Sequence, residues 1–154
     1  MSVELMRVHD HDESGWSPQG AVVEISDAAS WELLAASTLG RLGVSSGGLP
    51  GIYPVNFVSD GGSILFRTAN GEKLERLREN ENVVFEVDGE QDRGAWSVVV
   101  TGIAEILSGE PLVPESGLAS LPPWAPIESY VVVRIRPSAI RGRHWEPHHA
   151  IERD

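Results

Sequence analysis

The chain has 154 residues, 41% of them hydrophobic, enough to bury the core of one compact domain. Twenty-three acidic against twelve basic residues leave a formal charge of −11, which repels nucleic-acid phosphates and anionic lipid and excludes a general role on either. The absence of cysteine rules out disulfides and thiolate metal sites, and sixteen glycines with ten prolines point to a turn-rich, mainly β chain.

Residues 1–25 read as a flexible polar arm. It has no apolar run preceded by basic residues, so it is not expected to be a secretion signal, and no stretch is long enough to cross a membrane. A cytoplasmic location is the expectation. The run His9-Asp10-His11-Asp12-Glu13 has metal-binding side chains but no second cluster to close a coordination sphere, and it reads as a solvated tail. Ser26 is a good N-cap, and Trp31, Leu34 and Ala35, widened by Leu33, form one face of a helix to about Ser37. Leu39–Ser45 is a strand, broken by Gly47-Gly48 before Pro50. Two further strands, Ile52–Val58 and Ser63–Thr68, flank the turn Asp60-Gly61-Gly62.

A helix opens near Glu72, with Leu74 and Leu77 on one side and Glu75, Arg76, Arg78 and Glu79 towards water, and ends at Asn80–Asn82. Val83–Val87 is a strand and Asp88–Gly94 an acidic, turn-rich link. Trp96–Leu107 is the longest strand, and its Val98-Val99-Val100 predicts burial on both faces, within a barrel or across a subunit contact. Ser108–Ile127, with five prolines and two glycines, reads as loop. Tyr130–Arg136 and Ile140–Trp145 are the last strand signals, and a polar tail follows from Glu146. The late arginines, Arg134, Arg136, Arg141 and Arg143, each read as part of a solvated strand face. About six strands and two short helices predict a small barrel in which helices cover the openings.

The junction after the second hairpin strand gathers Arg67, Thr68 and Lys73 near the start of a helix. Guanidinium, hydroxyl, ammonium and the free N–H groups of a first helical turn are the donors a phosphate needs. Glu72 opposes this unless it points outward or caps the helix. The same residues also read as a hairpin followed by a surface helix with snorkelling cations. No Gly-x-Ser-x-Gly elbow, His-Glu-x-x-His helix or Walker loop is present, and no residue stands out as a catalytic acid, base or nucleophile.

From Ser26 to Trp145, the order and spacing of these segments resemble the flavin-binding split barrels related to pyridoxamine 5′-phosphate oxidase, in particular their short, stand-alone members. The likeness is carried by Ser26–Leu34, Leu39–Val44, Tyr53–Phe57, Leu65–Thr68, Gly71–Leu74, Val84–Asp88, Trp96–Gly102, Val133–Pro137 and Gly142-Arg143. The resemblance implies a six-stranded split β-barrel of the flavin-reductase and pyridoxamine-oxidase type over residues 26–145. It also implies a homodimer with flavin mononucleotide (FMN) at the interface. Arg67, Thr68 and Lys73 would meet the phosphate, and Pro54, Val55 and Asn56 would lie beside the isoalloxazine ring. Ser97 takes the place of a glutamine common in relatives, and Arg143, with Trp145 or Trp124, would reach in from the second subunit. Where relatives often carry a second basic residue beside the lysine, this chain has Glu72. The substrate-phosphate residues of the true oxidases have no match, so vitamin B6 chemistry is not implied. Three readings follow: an FMN-dependent oxidoreductase acting on a small molecule, a deazaflavin- or heme-binding barrel, and a non-catalytic flavin-binding protein.

Overall fold

The structure is a computed structural model that describes residues 22–91, 94–107 and 130–146. Seven strands and two helices run in the order β1 (Val22–Ile25), α1 (Asp27–Ala35), β2 (Leu39–Ser46), β3 (Leu49–Asp60), β4 (Ser63–Thr68), α2 (Glu72–Glu79), β5 (Asn82–Gln91), β6 (Gly94–Leu107) and β7 (Val131–Trp145). The spatial order is β1-β7-β4-β3-β2-β5-β6, and β6 also pairs with β7. Six antiparallel strands therefore close into a barrel, as the sequence predicts. The four-residue β1 is an addition laid along β7, inside the segment expected to be an arm up to residue 25.

β7 makes the closure possible. One of its edges pairs with β6 from Leu107↔Val132 to Ala95↔Trp145; the other carries β4 and then β1, end to end. The two expected strands at 130–136 and 140–145 are one bent strand. Thr101 faces Ala139 and Gly102 faces Pro137, leaving Ser138 as the extra residue of a bulge whose hydroxyl donates to the Thr101 carbonyl at 3.0 Å. A bulge is where a proline fits inside a sheet, because the ladder is already interrupted there.

The predicted hairpin forms with the two-residue loop Gly61-Gly62, and the break expected at Gly47-Gly48 is the loop of a second hairpin between β2 and β3. Gly61 and Gly62 have φ of 55° and 94°, the left-handed backbone that matches strand twist. β3 starts at Leu49, so Pro50 and Gly51 already belong to it. The acidic link expected at Asp88–Gly94 is largely strand, with Asp88–Gln91 laddered against Gly94–Ser97. Exposed acidic residues are compatible with a strand whose outer face meets water, and the pairing overrides their turn propensity. Burial on both faces of Trp96–Val100 is not seen in the single chain: Trp96, Val98 and Val100 are buried, while Val99 faces outward and is half-exposed.

The core fills the barrel from alternating positions: Leu42, Val44, Val55, Phe57, Phe66, Phe85, Val98, Val133 and Ile135 are all at most 4% exposed. Phe57 and Phe85 meet edge to face with centroids 4.9 Å apart. α1 packs on the core through Leu34, with Trp31 and Leu33 partly buried, while Ala35 stays exposed. Its N-cap is Ser26, whose hydroxyl accepts from the Ala29 N–H at 3.1 Å. α2 docks through Leu74 and Leu77.

Gly40, opposite Val55 in the β2–β3 ladder, leaves room for the Phe85 ring, which an added Cβ would overlap. Gly40→Ala is expected to destabilise the fold by about 1–3 kcal/mol in urea unfolding, because a close-packed core cannot yield without displacing the Phe57–Phe85 pair. An unchanged midpoint would mean that Phe85 swings aside freely.

Candidate functional site

Strand alternation sorts the predicted residues. On β3, Val55 points into the core at 2% exposure, so only its backbone could meet a ligand, whereas Pro54 and Asn56 lie on the outer face. On β4 the consecutive residues Arg67 and Thr68 project to opposite faces. Thr68 is buried at the end of the barrel, with its hydroxyl donating to the Ala69 carbonyl at 3.3 Å. Arg67 faces outward, with its guanidinium carbon 4.7 Å from the centroid of the Tyr130 ring. Phe57 and Phe66 are the last paired positions of the β3–β4 ladder, so Asn56 and Arg67 follow directly beside them on the outer face. Pro54, Asn56 and Arg67 thus form one patch.

Ser97 and Arg143 are brought together elsewhere. They are direct partners across β6 and β7, and Ser97 also faces Asp88 on β5. Arg143 lies 3.9 Å from the Glu24 carboxylate, which is held chiefly by Arg141 at 2.6 Å. That hydrogen bond, with the charge of Arg141 and Arg143 behind it, keeps the Glu24 carboxyl below its usual range despite the opposing effect of desolvation. β2 and β5 stand between Ser97 and the β3 patch, three strand spacings or about 14 Å along the wall, whereas Arg143 is displaced along β7, eleven residues from Val132, the partner of Arg67. On β2, Arg41, opposite Pro54, bridges Glu86 at 3.3 Å and Asp88 at 3.0 Å. Burial, followed by the hydrogen bond that a protonated Glu86 donates to the Asp88 carboxylate, pushes the Glu86 carboxyl up. Trp145 is half-exposed at the end of β7; Trp124, the His9–Glu13 run and the proline-rich segment 108–127 lie outside the described residues.

Lys73 is the chain's only lysine. It sits in the first turn of α2, half-buried, with its ammonium 5.5 Å from the centroid of the Tyr53 ring. Among the described residues no carboxylate pairs with it, and burial alone lowers its pKa below the ordinary lysine value. Glu72 is exposed, and the helix begins at Gly71 with no side chain capping its N–H groups. A partly desolvated ammonium with no described carboxylate partner, carried on the uncapped first turn of a helix, is suited to an anion.

Three side chains escaped the sequence reading. Helical spacing puts Arg76 towards water; instead it donates to the Tyr53 hydroxyl at 3.4 Å and to the Leu49 carbonyl. Tyr53 carries no sequence signal beyond its place in a strand. Arg134 is 21% exposed, not solvated; it lies opposite Leu65, diagonal to Arg67, with Asp60 at 3.8 Å. By contrast Arg136 and Arg141 are exposed and paired with Glu105 and Glu24, as a solvated face requires. Helix and strand periodicity assign faces but cannot say which cation folds back over a neighbouring strand. A separate groove of 710 Å³ lies at the other end of α2, between Leu77, Asn80, Ile103, Ile106 and Arg136, and contains none of the predicted residues. Among the described residues no group of metal-ligating side chains forms a site, and no helix is long and apolar enough to cross a membrane.

The pyridoxamine 5′-phosphate oxidase family model matches residues 26–144. An uncharacterized protein of Mycobacterium tuberculosis is 34% identical over 136 residues, 82% of this chain and 88% of that protein. A Corynebacterium glutamicum protein provisionally designated a pyridoxamine 5′-phosphate oxidase is 38% identical, with a TM-score of 0.73 over 82% of this chain and 99% of that one. A Mycobacterium smegmatis protein described as FAD-binding is 35% identical, with a TM-score of 0.68 over 80% of this chain and 98% of that one. The chain belongs to the pyridoxamine 5′-phosphate oxidase family of split barrels.

In the ligand-free protein, ¹³C labelling of lysine yields one side-chain resonance, and its titration midpoint is expected below the ordinary value of about 10.4. The sign for stability follows: at neutral pH Lys73 is charged in both states and the folded state carries the full burial penalty. As pH rises through the depressed folded value the unfolded chain binds more protons, so the burial penalty is progressively relieved and stability rises. An ordinary midpoint would show a solvated lysine and remove the case for an anion site at α2.

Proposed function

We propose that this family member binds FMN and acts as a flavin-dependent oxidoreductase on a small molecule, in a pocket completed by a second copy of the chain. The observation that carries the reading is Lys73: half-buried, unpaired with any described carboxylate, and adjacent to the uncapped start of α2. Its ammonium and the first-turn N–H groups hold the phosphate, with Arg67 adding a guanidinium from the end of β4. Pro54, Asn56 and the β3 backbone flank the ring, the Asn56 amide orienting its polar edge.

Supply of Arg143 by the second copy agrees with its distance along β7 from Val132, the partner of Arg67, within one chain. The outer faces of β2, β3 and β5 expose Leu39, Ile52 and Val84 at 41%, 70% and 42%, an apolar surface that self-association would cover. When bound, the flavin supplies hydride and electron transfer. The protein's part is to bind the phosphate, orient the ring and exclude water. FAD is the second reading, favoured by the M. smegmatis relative; it places the same kind of anionic group beside Lys73. A cytoplasmic, homodimeric protein is part of the same proposal.

The absorbance spectrum of the purified protein, with mass analysis of the released cofactor, separates FMN, FAD, deazaflavin and heme. Anaerobic reduction by a nicotinamide donor, followed by reoxidation with small-molecule acceptors, distinguishes an enzyme from a binder. A charge-assisted contact in a partly buried pocket contributes about 1.5–3 kcal/mol, so Lys73→Ala and Arg67→Ala are each expected to weaken FMN roughly tenfold or more. Riboflavin, lacking the phosphate, should be little affected. Equal losses for the two ligands would move the phosphate elsewhere, and a monomer at micromolar concentration in sedimentation would sink the shared pocket.

A further inference from the structure

α2 has eight residues, two buried apolar anchors and no side-chain N-cap, so its own propensity cannot hold its first turn in place. Lys73 and Arg76, three residues apart, share one face of it. Both converge on Tyr53: the ammonium lies over the ring face, and the Arg76 guanidinium takes the hydroxyl and the Leu49 carbonyl. This seat exists because residue 51 is glycine, since a Cβ there would collide with the guanidinium. At the far end of the helix the Ser46 hydroxyl bonds Glu79, so contacts from β2 and β3 pin α2 along its length.

We propose that Tyr53 and Arg76 are positioning residues for Lys73, with the tyrosine ring supporting the ammonium and Arg76, seated over Gly51, locking ring and helix together. The inference rests on the phosphate reading of Lys73 and adds to it that anion affinity depends on this cradle, which makes no contact with the flavin itself. The π-face favours the charged form of a lysine that burial disfavours, and a fixed ring keeps the ammonium near the uncapped amides of the first turn. A lysine on a loosely held helix would have to be ordered at the moment of binding, and affinity would fall accordingly.

The test uses the full chain with FMN and riboflavin as probes, plus the single lysine resonance of the ligand-free protein. Ring current is expected to shift the Lys73 ε-methylene protons upfield; Tyr53→Leu should abolish that shift and Tyr53→Phe preserve it. Tyr53→Leu and Gly51→Ala should each weaken FMN roughly threefold to tenfold while riboflavin changes by less than about twofold, and Tyr53→Phe should restore most of the FMN affinity. Gly51→Ala keeps the ring and unseats only Arg76, so it tests the cradle even if Tyr53→Leu does not fold. Absence of the upfield shift in the parent protein, or equal loss of FMN and riboflavin in the variants, would overturn the positioning role. Lys73→Ala separates the two layers. If it leaves the FMN-to-riboflavin ratio unchanged, the phosphate reading fails and the inference with it; if it collapses the ratio while the cradle variants do not, only the positioning role fails.

Discussion

The pairing of β7 along both of its edges is the constraint on which the rest of this structure depends. β6 occupies one edge over nearly the whole strand, and β4 and β1 divide the other. Strand closure removes the open edges of the six-stranded sheet and fixes which alternate residues face the core. That parity sends Val55 and Thr68 inward and leaves Asn56 and Arg67 outside. The bulge at Ser138 bends β7 enough for one strand to serve both ends of the barrel. A slip of one residue in its register would exchange the two faces and take the arginines of β7 into the core.

Electrostatics then concentrates one kind of chemistry in a small region. The chain carries eleven more acidic than basic residues, and several described arginines are already matched by carboxylates: Arg41 with Glu86 and Asp88, Arg136 with Glu105, Arg141 with Glu24. These pairs are largely exposed and add little to stability. They do neutralise their own surroundings, which leaves Lys73 distinct: among the described residues it has no carboxylate partner, and its ammonium lies over the Tyr53 ring. Burying that ammonium without a counter-charge is unfavourable, and an arriving phosphate offsets the penalty. The same burial that makes Lys73 a poor contributor to the free fold makes it a good anion site.

Much of this was legible in the sequence wherever a local rule decided the outcome. Ser26 capped its helix, Gly61-Gly62 made its turn, Leu74 and Leu77 faced the core, and the segment order pointed to the split barrel. The readings that changed did so where tertiary pairing decides. Asp88–Gln91 joined a strand because β6 was there to pair with it, and Pro137 stayed inside a strand because a bulge received it. Val99 stayed half-exposed because one chain covers one face of β6. Arg76 was the most instructive case: helical spacing placed it on the polar side of α2, yet glycine at 51 opened a seat for it on the neighbouring strand. Nothing in either local pattern reports that complementarity, since it involves two segments about 25 residues apart.

The most direct test of the account is the protonation of Lys73 with and without a phosphate beside it, followed through the single lysine ¹³Cε resonance across pH. In complex with riboflavin the midpoint should stay at the depressed value of the free protein; in complex with FMN it should move upward, because a neighbouring dianion stabilises the ammonium. Identical midpoints in the two complexes would place the phosphate away from Lys73 and contradict the site.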